Sequence, residues 1–131
     1  MIQVNVKCPR CGASLMDDKH PLDGKDSIKV RIRFDGKRGF LWLSSLYGSF
    51  VIESEQAIPP ETITQFFCPH CENELKSTRT CETCAAPMVA MEFREGGMVQ
   101  FCSRRGCRKH FIEFEDLESE LRAFYSRYAP F

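Results

Sequence analysis

Hydrophobic positions alternate with polar ones along most of this chain and follow a helical spacing only near its end. In "SIKVRIRF", Ile28, Val30, Ile32 and Phe34 alternate with Lys29, Arg31 and Arg33, the period of a strand with one buried side. "DGKRG" reads as a turn, and "FLWLSS" and "SFVIES" as two more strands separated by Tyr47-Gly48. Ser27 to about Ser54 is therefore expected to form a three-stranded antiparallel meander, with Phe34, Phe40 and Trp42 placed in the core. Ile2, Val4 and Val6 predict a short strand running into "CPRC", and "TITQFF" a strand running into "CPHC". "PMVAMEF" and "VQFC" predict a hairpin, with Gly96-Gly97 supplying the positive backbone angles of its turn.

The polar stretches read differently. "ASLMDDKHPLDGKD" has the Pro and Gly punctuation of a loop, "AIPPE" breaks the chain, and "ENELKSTRT" reads as a joint between halves. From Asp116 acidic residues crowd what would be a first helical turn. Leu117, Leu121, Phe124 and Tyr128 then recur at helical spacing, giving an apolar stripe for docking on the protein's own sheet or on a partner. The pattern predicts a mainly β protein with a C-terminal amphipathic helix.

Cysteine changes the picture. A chain of 131 residues is one ordinary domain or two very small ones, and small domains need staples. Its eight cysteines fall into four close pairs: Cys8/Cys11, Cys68/Cys71, Cys81/Cys84 and Cys102/Cys107. Two residues between paired cysteines is a metal-ligand spacing. Zinc takes four ligands, so four pairs make two closed sites with no thiol spare. The hairpin between Cys84 and Cys102 would bring those loops together, which pairs Cys81, Cys84, Cys102 and Cys107 and leaves Cys8, Cys11, Cys68 and Cys71 for the other ion. The rival joins Cys68/Cys71 to Cys81/Cys84 and closes a very long loop between the first and last pairs.

"CPRCG" and "CPHCE" resemble the knuckles of zinc-ribbon proteins, and "CETC" through the hairpin to "CSRRGC" resembles a compact ribbon whose third strand is "HFIEF". The resemblance implies two zinc ribbons. Residues 1–75 would form the first, carrying the β-meander as an insertion, and residues 76–131 the second with its helix. The first half, with a β-rich insertion between cysteine pairs and "FFCPHC" closing it, is similar to the small zinc-containing gamma subunit of acetone carboxylase. In that family the small chain is a non-catalytic component of a large multisubunit enzyme. The second ribbon has no counterpart in that pattern. "CPRCG" also suits iron in a rubredoxin-like site, but such carriers have Gly after both knuckles, and here Gly12 follows the first and Glu72 the second.

Charge and the remaining polar residues bound the function. The 18 basic and 18 acidic residues cancel formally. Each zinc held by four thiolates adds a net charge of minus two, so two sites take the protein to roughly minus four, which disfavours nucleic acid globally. Two local basic features oppose that average: Arg104, Arg105, Arg108 and Lys109 around the last cysteine pair, and Arg31 and Arg33 beside Lys29, Lys37 and Arg38. The first group is read as counter-charge for thiolates before it is read as a phosphate contact. His20, His70 and His110 are surplus to complete cysteine sets and are expected at the surface. Asp17, Asp18 and His20 have no partner in view for acid/base chemistry, and no phosphate loop or nucleophile motif occurs. The opening "MIQVNVKCPR" lacks the features of a signal peptide and no apolar run is long enough to span a bilayer, so the expected setting is the reducing cytoplasm. The sequence thus predicts a non-catalytic two-zinc protein acting as a small subunit or adaptor of a larger protein or enzyme assembly. A nucleic-acid-binding zinc ribbon is the alternative, and a rubredoxin-like iron electron carrier comes third.

Overall fold

A computed structural model describes residues 3–46, 49, 51–94, 96–107 and 110–113. Ten strands lie among them: β1 (Val6–Lys7), β2 (Met16–Leu22), β3 (Lys25–Phe34), β4 (Lys37–Leu43), β5 (Ile52–Ser54), β6 (Gln65–Phe67), β7 (Lys76–Thr80), β8 (Pro87–Phe93), β9 (Met98–Cys102) and β10 (His110–Glu113). They form two antiparallel five-stranded sheets. One has the order β2-β3-β4-β5, with β6 also on β3; the other has the order β1-β8-β9-β10, with β7 also on β8.

The expected architecture, mainly β with a C-terminal helix, is corrected to an all-strand one: no helix occurs among the described residues. The chain is still in strand at Glu113, where β10 takes its backbone hydrogen bonds from β9 through Phe111↔Gln100 and Ile112↔Val99. Leu117, Leu121, Phe124 and Tyr128 lie outside the described residues. The insertion in the first half is also larger than a three-stranded meander. The stretch read as a loop is β2, and the stretch read as a joint is β7. Both are edge strands of mostly polar side chains, so backbone pairing with β3 and β8 forms them and no apolar alternation reveals them.

Turn chemistry sets the register of the first sheet. Leu22 pairs with Lys25 across Asp23-Gly24 (φ 54° and 74°), and Phe34 pairs with Lys37 across Asp35-Gly36 (φ 48° and 74°). Both are two-residue Asp-Gly hairpins with two left-handed residues, whose twist matches that of the strands they join. This register turns Ile28, Val30, Ile32 and Phe34 inward, each at most 4% exposed. Phe40 and Trp42, expected in the core, stand on the opposite face and are half-buried, because Phe40 pairs with Arg31 and Trp42 with Lys29. Directly paired residues share a face of the sheet.

The two sheets are copies of one unit with their first strands exchanged. β1, although it opens the chain, pairs with β8 through Val6↔Phe93 and Lys7↔Glu92. β6 correspondingly pairs with β3 through Phe66↔Ile32 and Phe67↔Arg31. Val6 O accepts from Leu15 N–H at 3.0 Å, as Phe66 O accepts from Leu75 N–H at 2.7 Å. Leu15 O accepts from Lys29 N–H, as Leu75 O accepts from Ala90 N–H. One apolar cluster fills the space between, drawing Val4, Val6, Leu15, Ile28, Val30, Ile32 and Leu41 from one unit and Phe66, Leu75, Val89, Met91, Phe93 and Val99 from the other.

Ile32 is 1% exposed and pairs with both Gly39 and Phe66. Ile32→Ala should cost about 2–5 kcal/mol, read as a lowered denaturant midpoint of the metal-loaded protein with an unchanged slope.

Candidate metal centres

Three of the four cysteine pairs sit on the same backbone hairpin. Gly12 N–H donates to Cys8 O (3.0 Å), Glu72 N–H to Cys68 O (2.9 Å) and Ala85 N–H to Cys81 O (2.8 Å). Each loop is closed a second time, by Cys8 N–H to Ala13 O, Cys68 N–H to Asn73 O and Cys81 N–H to Ala86 O. The residue after the second cysteine is left-handed in all three: Gly12 (φ 75°), Glu72 (φ 60°) and Ala85 (φ 63°). A side chain in that region is strained by about 1–2 kcal/mol, yet only the first loop uses glycine. The loops turn backbone N–H groups onto sulfur: Arg10 to Cys8 Sγ (3.4 Å), His70 and Cys71 to Cys68 Sγ (3.3 and 3.5 Å). Such donors stabilise thiolate.

The wider fourth loop is built otherwise. Arg104 N–H points at Cys102 Sγ (3.5 Å), Cys107 N–H closes a turn on Arg104 O (3.2 Å), and Gly106 takes a φ of 93°.

These loops make two clusters. Cys8, Cys11, Cys68 and Cys71 form one and Cys81, Cys84, Cys102 and Cys107 the other, with the four sulfurs of each within 4.8 Å of one another. Sulfur separations are 3.7 Å for Cys8–Cys71 and Cys11–Cys68 in the first, and 3.7 Å for Cys81–Cys107 and 3.3 Å for Cys84–Cys102 in the second. A tetrahedral ion with metal–sulfur bonds of about 2.3 Å requires sulfurs about 3.8 Å apart. All eight cysteines are free thiols. The donor set therefore fits a four-coordinate thiophilic ion at each cluster.

The two clusters stand in different places. The first lies where both chain segments change sheets: β1 of one sheet leads through Cys8 and Cys11 to β2 of the other, and β6 leads through Cys68 and Cys71 back to β7. The second cluster belongs to the second unit alone, between the β7–β8 and β9–β10 loops. At the corresponding place in the first unit, the Ser44 and Ser49 hydroxyls donate to Asp23 Oδ2 at 2.6 and 2.7 Å. The correspondence follows the ladders. Ser44 follows the Leu43↔Ile28 pair as Cys102 follows Phe101↔Val89, and Ser49 N–H closes on Leu46 O as Cys107 N–H closes on Arg104 O. These donations hold the Asp23 carboxyl below its usual range.

Without metal, each cluster mixes raised and lowered thiols. Burial pushes Cys8 up and Cys68 up to about 12. The Asn73 N–H brings Cys71 down to about 7. In the second cluster burial raises Cys102, while the Ala86 N–H lowers Cys84 to about 6. Arg104, beside Cys84, is held further toward its charged form by that sulfur.

The basic residues of this region prove to be mostly structural. The Arg104 guanidinium donates to Glu61 O (3.2 Å) and that of Arg105 to Ile58 O. Their backbones pair with residues 61–64 through Glu61 N–H to Arg105 O and Arg105 N–H to Thr62 O. Arg108 and Lys109 lie outside the described residues. Arg31 and Arg33 are exposed on β3, far along the chain from these loops. Neither cluster includes a histidine. His20 stacks on Trp42 and meets Glu53 Oε2 at 2.5 Å, His70 is exposed, and Asp17 accepts from Trp42 Nε1 at 3.0 Å. Sequence reasoning missed the Asp23 cluster; its one signal was the Asp-Gly turn that opens β3.

Cys8→Ser and Cys84→Ser should each bind one equivalent of zinc fewer. Amide shifts should spread through both sheets for Cys8→Ser and stay within β7–β10 and the adjoining residues 58–64 for Cys84→Ser. Zinc must displace the protons of Cys8 and Cys68 in the first cluster and that of Cys102 in the second, where Cys84 is lowered to about 6. Affinity falls with pH about tenfold per unit for each proton displaced. Chelator competition between pH 7 and 8 should therefore give the first cluster the steeper slope; equal slopes would refute this ordering.

No family model, curated protein or solved structure matches the chain. Geometry alone characterises the centres: two zinc-ribbon-like sets of four free thiols, spaced for a tetrahedral ion and able to hold metal.

Proposed function

We propose that this is a non-catalytic protein whose two structural zinc ions fix its fold, and that it serves as a small cytoplasmic subunit or protein–protein adaptor of a larger assembly. The observation that carries the reading is the complete set of four cysteines at each centre. Four protein ligands fill the tetrahedron and leave no position for a water or substrate, which a catalytic zinc needs. A structural ion of this kind contributes about 10 kcal/mol or more to folding. Zinc is preferred to iron because the strict glycine of a rubredoxin-like second knuckle is replaced by Glu72. A binding role is supported by Val51 and Ile63, large hydrophobic side chains left 45% and 44% exposed. Among the described residues no helix is long and apolar enough to cross a membrane.

The untagged protein purified from its native cell should contain two zinc ions per chain, show no visible absorbance, and travel in a particle well above its own 15.1 kDa. A coloured iron protein would overturn the metal assignment, and a free monomer the subunit role.

A further inference from the structure

The outer face of the first sheet carries a cation and aromatic pattern that its counterpart in the second unit lacks. Lys29, Arg31 and Arg33 stand at alternate positions of β3, about 6.7 Å apart, close to the phosphate repeat of an extended single strand. Phe40 and Phe67 pair with Arg31 from either side, and Trp42 pairs with Lys29. Lys29 Nζ and Arg31 Cζ lie 4.4 and 4.7 Å from the Phe40 ring centroid. Arg38 extends the row beside Arg33. None of these cations forms an ion pair among the described residues. Three carboxylates flank the row: Asp17 accepts from Trp42 Nε1 and lies in the field of Lys29, Glu53 meets His20, and Glu55 accepts from the Phe40 N–H at 2.6 Å.

The second unit is an internal control for what the sheet itself requires. Following the ladders, Lys29 corresponds to Ala90, Arg31 to Glu92, Phe40 to Met98, Trp42 to Gln100 and Phe67 to Lys7. Arg33 corresponds to Arg94, so the same fold is built there with a cation at that position but with neither cation at the Lys29 and Arg31 positions nor any of the three aromatic rings. Ala90 and Gln100 are buried there at 2% and 3% exposure, and Glu92 is ion-paired with Lys7 at 3.5 Å, whereas Arg31 is exposed and forms no ion pair among the described residues. Rows of unpaired cations between half-buried aromatic rings match the two faces of one class of ligand, phosphates along a backbone and bases that stack.

We propose that the outer face of β3, β4 and β6 binds single-stranded nucleic acid, with Arg31, Arg33 and Lys29 on phosphates and Phe40 and Phe67 against bases, beside Trp42, one face of which is stacked on His20. This goes beyond the structural role of the metal centres and does not depend on which metal they hold. Trp42 is the chain's one tryptophan and reports the face directly.

The test titrates the metal-loaded full chain with oligo(dT) and oligo(rU) of about twelve nucleotides, following Trp42 fluorescence. Quenching is expected, with affinity about 20-fold weaker at 200 mM than at 50 mM salt if three phosphates are contacted. The double variant Arg31→Gln/Arg33→Gln should bind about tenfold or more weakly and lose about two-thirds of that salt slope. Arg38→Gln, a single exposed change, should weaken binding less and serves as the second variant if the double one fails to hold its metal. Absence of binding at low salt, or variants that bind as the parent does, would overturn the proposal. So would polyglutamate binding as tightly as the oligonucleotides, which would mark the face as one for an acidic protein.

Discussion

Convergence of Cys8, Cys11, Cys68 and Cys71 on one point, where they could hold a metal ion, is the constraint on which the rest of this fold depends. Each of these cysteine pairs sits on a segment that leaves one sheet and enters the other, so the cluster marks the crossing of two chain segments. β1 offers its sheet only the Val6↔Phe93 and Lys7↔Glu92 pairs, and β6 offers only three. Strands this short cannot hold an exchange of position by backbone pairing alone. With Cys8 and Cys68 fully buried and their sulfurs 3.7 Å from Cys71 and Cys11, a bound ion ties both crossings at one point. The apolar cluster of Val6, Leu15, Phe66 and Leu75 then closes around the crossing from both units.

The comparison of the two units separates what the metal does from what the sheet does. Both units must join the loop before their long central strand to the loop after the next strand. The second does so with Cys81, Cys84, Cys102 and Cys107; the first does so with Asp23, Ser44 and Ser49. The first unit can use hydrogen bonds because its Asp23-Gly24 hairpin is a two-residue turn whose geometry is fixed by left-handed residues. In the second unit Thr80 pairs with Pro87, so the whole Cys81–Ala86 knuckle stands between the strands. Ordering that longer loop costs more conformational entropy, which a metal ion held by the four cysteines would offset. A second contribution comes from Arg104 and Arg105, whose backbones and guanidinium groups pin residues 58–64 beside the centre.

Much of this was legible in the sequence, for identifiable reasons. The alternation in Ile28–Phe34 announces β3 because a strand with one buried face repeats every two residues, and Gly96-Gly97 announces the β8–β9 hairpin because few other residues take those angles. The cysteine pairs were legible because metal-ligand spacing is chemical. β2 and β7 were hidden because mostly polar edge strands carry no apolar signature, and the exchange of β1 and β6 was hidden because no local pattern records which sheet a strand joins. Phe40 and Trp42 illustrate the limit most clearly. Alternation assigns Leu41 and Leu43 to one face and Phe40 and Trp42 to the other, but which face meets the core is decided by pairing with β3.

That last ambiguity bears on function. Placed in the core, Phe40 and Trp42 would be packing residues and the cations of β3 an ordinary solvated face. Placed outside, they turn the same cations into part of a mixed surface, and Arg31 lies between two phenylalanines from neighbouring strands. The second unit shows that the sheet tolerates Met98 and Gln100 at the equivalent positions, so packing does not dictate aromatic rings there. Phe40 and Trp42 are half-buried, and the part of each ring left in solvent costs hydrophobic free energy that a polar residue would avoid. Within the fold these rings pack on His20 and under Lys29 and Arg31, so the face is a built surface of cations and aromatic rings, set apart from the eight thiols, which gather in two clusters able to hold a metal.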